Sequence, residues 1–421
     1  MADISWKATF VDAADVIKSA VRNLLRDDVA HRADDAAALA ALSTYSTKTF
    51  NVDGYLYELD AADTTTAHSP PTCIVTADGL RYKPITYTGK GAVPSGGTSG
   101  YALTKASAAD YDLVWALLAA SGAPTMPQGR LTPSTGVRVP VSTVSGATTM
   151  YYTPAVGRYV PIYSGSAFVM TDTGGELSQA TTDATKSPAA CANNSGYDVF
   201  VWDDGGTIRA TRGPAWSSLT ARGTGAATTE LESLEGRYVN KYAITNGPAA
   251  QRGTYVGSFR TNGSAAVDFI FGGSNTTAKI CVYNHYNQIP IRALSYESTA
   301  SWAYTTGTTR RMNNNANIEI QFFSGDADVT IDATAVSPMT ASSTPAAGIG
   351  LDSTSTVHAD CLFGFGAAGG GFGTITSVLK AIPGLGHHYV APLEFGNTGA
   401  TFYGVLTAST SRAGIVMMIE A

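Results

Sequence analysis

The sequence contains two groups of acidic side chains that could supply the paired carboxylates of a glycosidase. Their members are Asp198, Asp203 and Asp204 in the first group and Glu230, Glu232 and Glu235 in the second. Glycoside hydrolysis needs two carboxyl groups about 5 to 10 Å apart in a cleft. Asp204 precedes two glycines and is typical of a turn residue, whereas the glutamates alternate along a strand or flank a turn, which indicates a solvated face. We therefore expect no catalytic residue in either group.

Two adjacent histidines raise the question of a metal site. On a strand, His387 and His388 would point to opposite faces and could not easily bind one ion within a subunit. One histidine from each of three chains around a threefold axis could bind an ion instead. The sequence has no phosphate-binding loop, nucleophile elbow or zinc-ligand spacing. We predict no metal, no cofactor and no enzymatic activity.

A group of aromatic residues surrounds His285. Tyr283, Tyr286 and Tyr296 are its neighbours in the sequence, and with His285 they could contact a receptor, because aromatic faces bind the apolar surfaces of sugars. The simpler interpretation is that these side chains are half-buried strand aromatics. Both interpretations stay open at this point.

Composition limits the partners of the chain. The net charge is −6, the pI is near 5.5, and the longest basic cluster is Arg310-Arg311. Nucleic-acid binding depends on clustered Lys and Arg, so we expect no nucleic-acid partner. The N-terminus MADISWKATF lacks the basic start and apolar core of a signal peptide, and no apolar run approaches ~18 residues. We therefore expect synthesis in a cytoplasm and no membrane insertion.

The four cysteines, Cys73, Cys191, Cys281 and Cys361, lie far apart in the sequence. None of them forms a Cys-x-x-Cys pair, and the expected folding compartment is reducing. We predict four buried, reduced thiols.

The region from Thr181 to Asp332 must position most of these side chains. Residues 197–216 alternate apolar and polar, break at Asp204-Gly205-Gly206 and alternate again, which predicts a hairpin. A second hairpin is predicted over 253–273, with its tight turn at Asn262-Gly263, and a further turn at Glu235-Gly236. Turn signals recur at roughly ten-residue spacing, as in an antiparallel sandwich. We assign this central β-sandwich to residues 177–336.

One long helix is predicted, from Asp12 to about Leu42. Asp12 can cap it, and one face carries an apolar stripe interrupted by Arg32. The stripe consists of Ile17, Val21, Leu25, Val29, Ala36 and Leu39. It could pack on its own domain, or it could form the core of a bundle of identical chains or an attachment helix.

The complete prediction is a mainly β chain in which the N-terminal helix is followed by several small antiparallel β units. The predicted segments are a helical attachment or oligomerisation segment (1–45), a small β unit with turns at Asp53-Gly54 and Asp78-Gly79 (46–87), a Gly-rich linker with a fibre-type motif (88–124), a strand-rich connector (125–176), the sandwich (177–336) and a Gly-rich C-terminal β unit (337–421). The last unit contains GFGAAGGGFG at 364–373 and ends on the strand GIVMMIEA. Dense glycines indicate either flexible loops or close packing of several backbones around an axis.

Two stretches resemble proteins of tailed phages. Four segments, in this order, are similar to a domain of virion proteins, chiefly tail fibres. They are LSQATTDATKSPAA (177–190), YDVFVW (197–202), TIRATRGPAW (207–216) and NGPAAQRGTYVGSFRTNGS (246–264). The segment GYALTKASAADYDLVWA (100–116) resembles a short motif that follows Gly-rich sequence in tail fibres. Here the chain departs from the motif by continuing as LLAASGAP.

The resemblance implies a homotrimeric tail fibre located in the virion and made in the host cytoplasm. Its N-terminal region would attach to other virion proteins of the tail, baseplate, neck or capsid, and its β units would contact a host glycan or protein. A head fibre, capsid decoration or collar protein without receptor binding is the alternative. A polysaccharide-degrading tailspike is less favoured, because the long parallel-helix repeat expected of such spikes is absent from the sequence.

Overall fold

A computed structural model describes residues 49–52, 55–69, 73–75, 79–84, 101–106, 113–117, 126–366, 369–406 and 411–421. The predicted N-terminal helix, with its stripe from Ile17 to Leu39, lies outside these residues. The described chain is mainly β, with 50% of it in strands that form multiple, mostly antiparallel sheets. No helix in these ranges has the length and apolar content needed to cross a membrane. The chain divides into two compact units, Met1–Ser121 and Gly122–Ala421.

The first unit contains six described strands. They are β1 (Thr49–Val52), β2 (Tyr55–Leu59), β3 (Ile74–Val75), β4 (Arg81–Pro84), β5 (Tyr101–Lys105) and β6 (Leu113–Leu117). The first four form one antiparallel sheet in the order β1-β2-β4-β3, as the two strand–turn–strand patterns predict. Tyr57, Cys73 and Tyr82 are buried there. β5 and β6 pair as a hairpin within the stretch predicted as a linker with a fibre-type motif.

The first part of the second unit contains eleven described strands. They are β7 (Gly129–Thr132), β8 (Val144–Ala147), β9 (Thr149–Pro154), β10 (Tyr159–Tyr163), β11 (Phe168–Asp172), β12 (Leu177–Ala180), β13 (Gly196–Asp204), β14 (Thr207–Arg212), β15 (Leu231–Leu234), β16 (Arg237–Asn240) and β17 (Thr254–Arg260). β13 to β17, with the later β21, form a six-stranded antiparallel sheet. β7, β9 and β12 form a second sheet, and β10 and β11 a third.

Most of the remaining strands belong to two larger sheets. They are β18 (Val267–Ile270), β19 (Gly272–Ser274), β20 (Ala278–Ile280), β21 (Val282–Asn284), β22 (Pro290–Tyr296), β23 (Ser301–Ala303), β24 (Thr309–Arg311), β25 (Ile320–Ser324), β26 (Ile331–Thr340), β27 (Ala346–Leu351), β28 (Cys361–Leu362), β29 (Phe372–Ala381), β30 (Gly386–Phe395), β31 (Thr401–Tyr403), β32 (Val405–Leu406), β33 (Ser411–Arg412) and β34 (Gly414–Glu420). A short 3₁₀ turn, Met312–Asn314, separates β24 from β25. β32 and β33 pair only with each other among the described strands.

Two of the predicted turns are confirmed. β13 and β14 are joined by Gly205 (φ 63°) and Gly206 (φ 97°), whose left-handed conformations match the turn of a two-residue hairpin. β15 and β16 are joined in the same way by Glu235 (φ 49°) and Gly236 (φ 77°). The sequence predicts these hairpins well because both depend on local turn chemistry.

The hairpin predicted over 253–273 is wrong. β17 belongs to the six-stranded sheet and β18 to a different one, with only an isolated bridge between Thr261 and Val267. The Asn262 side chain accepts hydrogen bonds from the backbone of Ser264 (2.9 Å) and Ala266 (3.2 Å), which closes a wider turn. This turn carries the chain out of one sheet and into another, where Val267 and Phe269 join the common core.

The seven-stranded and eight-stranded sheets pack face to face as a sandwich. The first sheet has the order β24-β30-β25-β20-β18-β8, and β27 also pairs with β30. The second has the order β19-β22-β34-β26-β29-β28; β31 pairs with β26, and β23 pairs with β31. Alternate residues of β26 and β34, such as Ile331 and Met417, are buried in one core with Phe322 of β25 and Val390 of β30. Burial of these alternating apolar residues is the main stabilising contribution to the unit.

Most of the sandwich has the strand order of a jelly roll. β22-β34-β26-β29 run antiparallel in one sheet and β25-β30-β27 in the other, so that the chain passes repeatedly between the two sheets. The eighth strand of a complete jelly roll is replaced by the mostly irregular stretch 352–366.

The predicted boundaries inside the second unit do not separate compact units. β26 runs across the boundary at 336/337, β9 pairs with β12 across 176/177, and β34 lies between β22 and β26. The sandwich therefore includes the stretch predicted as a separate C-terminal unit. Turn spacing identifies strands but not their distant partners, which are selected by burial of apolar faces.

Candidate functional site

The partly exposed polar and aromatic residues around His285 form the candidate site. β21 pairs with β17, which brings Tyr283 and His285 beside the loop that follows β25. In that loop, Asp326 accepts hydrogen bonds from the Tyr283 hydroxyl (2.6 Å) and from Nδ1 of His285. Gln288 Nε2 donates to the Tyr283 hydroxyl at 2.6 Å. One carboxylate thus orients a tyrosine and a histidine together.

Aromatic rings surround the histidine. The centroid of the His285 ring lies 4.5 Å from that of Tyr286, 5.2 Å from Tyr238 and 5.4 Å from Tyr255. Tyr238 is 37% exposed, whereas Tyr255, Tyr283 and Tyr286 are buried. We call these six residues the His285 cluster: Tyr238, Tyr255, Tyr283, His285, Tyr286 and Asp326. Its rim faces solvent, because the His285 and Asp326 side chains keep 20% and 18% of their accessible surface.

A buried ionic network supports the cluster from below. Arg222 Nε donates to Asp198 at 2.7 Å, and its Nη2 donates to the Tyr255 hydroxyl at 3.1 Å and to the Gly325 carbonyl at 2.6 Å. Ser258 Oγ donates to Asp198 at 2.6 Å. Since Gly325 precedes Asp326, Arg222 connects the loop that carries the carboxylate to β13 and β17.

The protonation of the cluster follows from its hydrogen bonds. Burial alone would raise the pKa of Asp326, but the hydrogen bonds from His285 and Tyr283 outweigh it and hold that pKa below its ordinary value. Burial, and then the hydrogen bond to Asp326, raise the pKa of Tyr283. Burial raises the pKa of Tyr286 to about 12. At neutral pH the cluster therefore presents the Asp326 carboxylate, an acceptor suited to the hydroxyl groups of a ligand.

The structure brings three of the four sequence-predicted aromatic-patch residues together. Tyr283, His285 and Tyr286 belong to the cluster, whereas Tyr296 lies at the far end of β22, where the Arg412 guanidinium lies 4.7 Å from its ring centroid. β22 alone extends roughly 20 Å at 3.3 Å per residue, which separates Tyr296 from the others. Sequence reasoning missed Tyr238, Tyr255 and Asp326, because only tertiary packing places them beside His285.

The acidic groups noted in the sequence are occupied by other interactions. Asp198 is fully buried against Arg222, and Asp203 Oδ1 accepts the backbone N–H of Gly206 at 2.6 Å in the hairpin turn. Asp204 is more than a turn residue, because it pairs with both Lys186 and Arg209 at 2.6 Å.

The glutamates of the second group behave similarly. Glu230 pairs with Lys241, Glu232 accepts a hydrogen bond from Gln251 at 2.9 Å, and Glu235 forms the turn described above. They are partnered surface residues of one hairpin and its flanks.

The adjacent histidines lie on β30 and have separate surroundings. His388 is buried, and its Nδ1 lies 2.7 Å from Asp352 Oδ2. Burial, with a smaller contribution from Arg260, lowers the pKa of His387 to about 4. No group of three or more metal-ligand side chains occurs among the described residues. The four cysteines are buried and free, as predicted.

Known proteins give no independent guide to this site. Comparisons with protein-family models, with curated proteins and with solved structures find no match.

Proposed function

We propose that the protein is a non-enzymatic component of a tailed-phage virion, a homotrimeric tail fibre that adheres to the host cell surface. Its N-terminal region would attach to other virion proteins, and its second unit would contact a host glycan or protein. The observation that carries the proposal is the His285 cluster, which presents the exposed ring of Tyr238 beside the partly exposed His285 and Asp326 in a unit whose sequence resembles tail fibres. Jelly rolls occur in viral and lectin domains, which is compatible with this role without establishing it.

The chemistry of the cluster favours binding over hydrolysis. The partly exposed face of Tyr238 can stack on a sugar ring, and His285 and Asp326 can exchange hydrogen bonds with its hydroxyls. Asp198, the other carboxylate of the network, is fully buried and paired with Arg222. It cannot serve as the second carboxyl group of a glycosidase, so the arrangement supports an adhesin.

A binding assay with host cells tests the adhesive role. We expect Tyr238→Ala and His285→Ala to reduce binding of the purified protein by about tenfold or more, as for a residue at the centre of a contact. Tyr101→Ala is the matched control, because Tyr101 is a tyrosine of similar exposure (43%) in the first unit. Unchanged binding by both cluster variants would refute the assignment of the site.

Two further measurements test the remaining parts of the proposal. Light scattering at micromolar concentration should give the mass of a trimer, and a monomer would contradict the fibre. Imaging of particles labelled at the C-terminus should place the label far from the shell. A label flush with the shell or neck would favour a head fibre, capsid decoration or collar protein, and new reducing ends from host polysaccharide would favour a tailspike.

A further inference from the structure

An apolar pocket opens on the outer face of the seven-stranded sheet. Ala347 of β27 is buried in the interior with Met339 and Phe402, so its neighbours Ala346 and Gly348 face outward. These two residues, with Leu393 and Phe395 of β30, form the floor, and Phe363 and Phe365 form a wall. The cavity has a volume of about 230 Å³.

The size and lining of the pocket define its ligand. An apolar cavity of about 150 Å³ is sufficient to bind benzene, so this pocket can take a phenyl ring. Glu394 borders it, but the carboxylate is occupied by Arg310 at 2.8 Å and by Trp302 at 2.7 Å. The pocket therefore suits an uncharged aromatic or branched aliphatic group.

The same chain carries such a group on its surface. Phe372, at the start of β29, is 57% exposed, and its ring contacts Tyr403 instead of lining the pocket. Gly371 and Gly373 flank it. A Cβ added at either glycine would meet no described atom within 4 Å, and neither has a left-handed φ. Nothing described within the chain requires glycine at these positions, whereas close approach by another backbone would.

The edge of the sheet beside Phe372 is open. β29 pairs with β26 along its whole length, but on its other side only Val378 and Leu379 pair with β28. From Phe372 to Ser377 this edge has no partner strand among the described residues. Exposed edges are normally protected by a charge, a proline or a bulge, and FGTITS contains neither a charged residue nor proline. Its register with β26 is also regular.

We propose that Phe372 of one copy of the chain inserts into the pocket between Phe365 and β27 of a second copy, with the open β29 edge lying along the contact. The occupant is a second copy because the chain itself supplies both the pocket and the exposed ring that fits it. A ring and a pocket at different places on one subunit produce a head-to-tail contact, which closes into a ring of identical subunits when the rotation permits. This contact rests on the proposed function only for the number of copies in the assembly, which is three.

Two variants on the β29 side of the contact test this proposal by sedimentation. Phe372→Ser removes the ring, and Gly373→Val obstructs the approach of the second copy with a side chain whose Cβ meets no neighbour within 4 Å inside the chain. We expect each to weaken association by about tenfold or more while the circular dichroism spectrum of the folded subunit stays unchanged. Val141→Ser is the control, because Val141 is 92% exposed and lies outside the pocket and the β29 edge.

Cross-linking identifies the contact itself. Two differently tagged chains, one with Phe372→Cys and one with Phe365→Cys, are co-expressed and oxidised; the four native thiols are buried and should not compete. A mixed disulfide, together with weaker association of the variants above, is the expected result. An oligomeric protein that neither cross-links nor responds to Phe372→Ser and Gly373→Val overturns this contact and leaves the proposed trimer standing. A monomeric wild-type protein overturns both.

Discussion

Arg222 stabilises the floor of the His285 cluster. Its guanidinium pairs with the fully buried Asp198, donates to Tyr255 and Gly325, and lies 4.7 Å from the ring centroid of Trp216. A buried carboxylate that loses its partner still pays the cost of its desolvation. Removing one member of such a pair therefore destabilises the protein by more than the intact pair stabilises it.

Arg222→Met should therefore reduce the free energy of unfolding by about 3–5 kcal/mol. The arginine is replaced by a side chain of similar length that leaves Asp198 buried and unpaired. Urea unfolding followed by fluorescence measures the change. Arg209→Met is the control, because its partner Asp204 is a hairpin-turn residue at the surface, and it should have little effect. Equal effects of the two variants would contradict the role given to the buried network.

Asp326 should make the protein sensitive to acid. Its pKa in the folded protein lies below its ordinary value of 3.8, because hydrogen bonds from His285 and Tyr283 outweigh burial. A lowered carboxylate pKa contributes stability that is complete above the ordinary value and is lost as the pH falls through the folded-state pKa.

Asp326→Asn removes that contribution. The melting temperatures of wild type and variant should differ most above pH 5 and converge as the pH falls below 3.8 and through the lower folded-state pKa. Thermal melts between pH 7 and pH 2.5 measure this difference. A gap that stays constant across the series would show that Asp326 is not ionised in the folded protein.

At the scale of elements, the site depends on how closely β17 approaches β21. A Cβ added to Gly257 of β17 would lie 2.3 Å from the Tyr283 carbonyl oxygen, which is closer than real atoms pack. The pairing of β13 with β17 shifts register at this point, between Val199 and Phe200. The glycine thus allows β21 to hold Tyr283 and His285 against Asp326.

Gly257→Ala should cost about 1–3 kcal/mol and displace β21, so that host-cell binding falls together with stability. Gly263→Ala is the matched control, since an added Cβ there meets only the Asn194 side chain, at 4.0 Å. Denaturant unfolding and the binding assay measure both effects. If Gly257→Ala were as stable as Gly263→Ala, the close approach of the two strands would not be a constraint.

At the scale of the whole molecule, the second unit depends on pairings between distant parts of the chain. β22 and β26 pair with β34, β26 also pairs with β29, and β25 pairs with β30, so residues 290–340 are stabilised largely by residues 372–420. Their buried side chains belong to one continuous core. Such long-range strands fold together, because none of them buries its apolar face alone.

A fragment of residues 177–336 should therefore fail to fold, whereas residues 122–421 should unfold in one cooperative transition. The shorter fragment lacks β29, β30 and β34, which cover both sheets of the sandwich. Circular dichroism melts and amide proton dispersion by NMR distinguish the outcomes. A cooperative melt of the 177–336 fragment would restore the boundaries predicted from turn spacing.

The sequence by itself determined those features of the protein that depend on neighbouring residues. Period-2 alternation predicted the mainly β class, and the Gly-Gly and Glu-Gly turns predicted two hairpins in register. Cysteine spacing predicted free buried thiols. The aromatic residues close to His285 in the sequence identified three of the six residues of the His285 cluster. Each of these inferences uses contacts between residues only a few positions apart.

Only the tertiary structure decided which distant elements meet. Asp326 lies 41 residues after His285, Tyr238 lies 47 residues before it, and β34 enters between two strands far from it in sequence. Asn262 shows the limit clearly: the same Asn-Gly pair permits a tight hairpin or a wider turn, and burial of Val267 and Phe269 in another sheet selects the second. Burial is a property of the assembled core, so no local pattern can predict it.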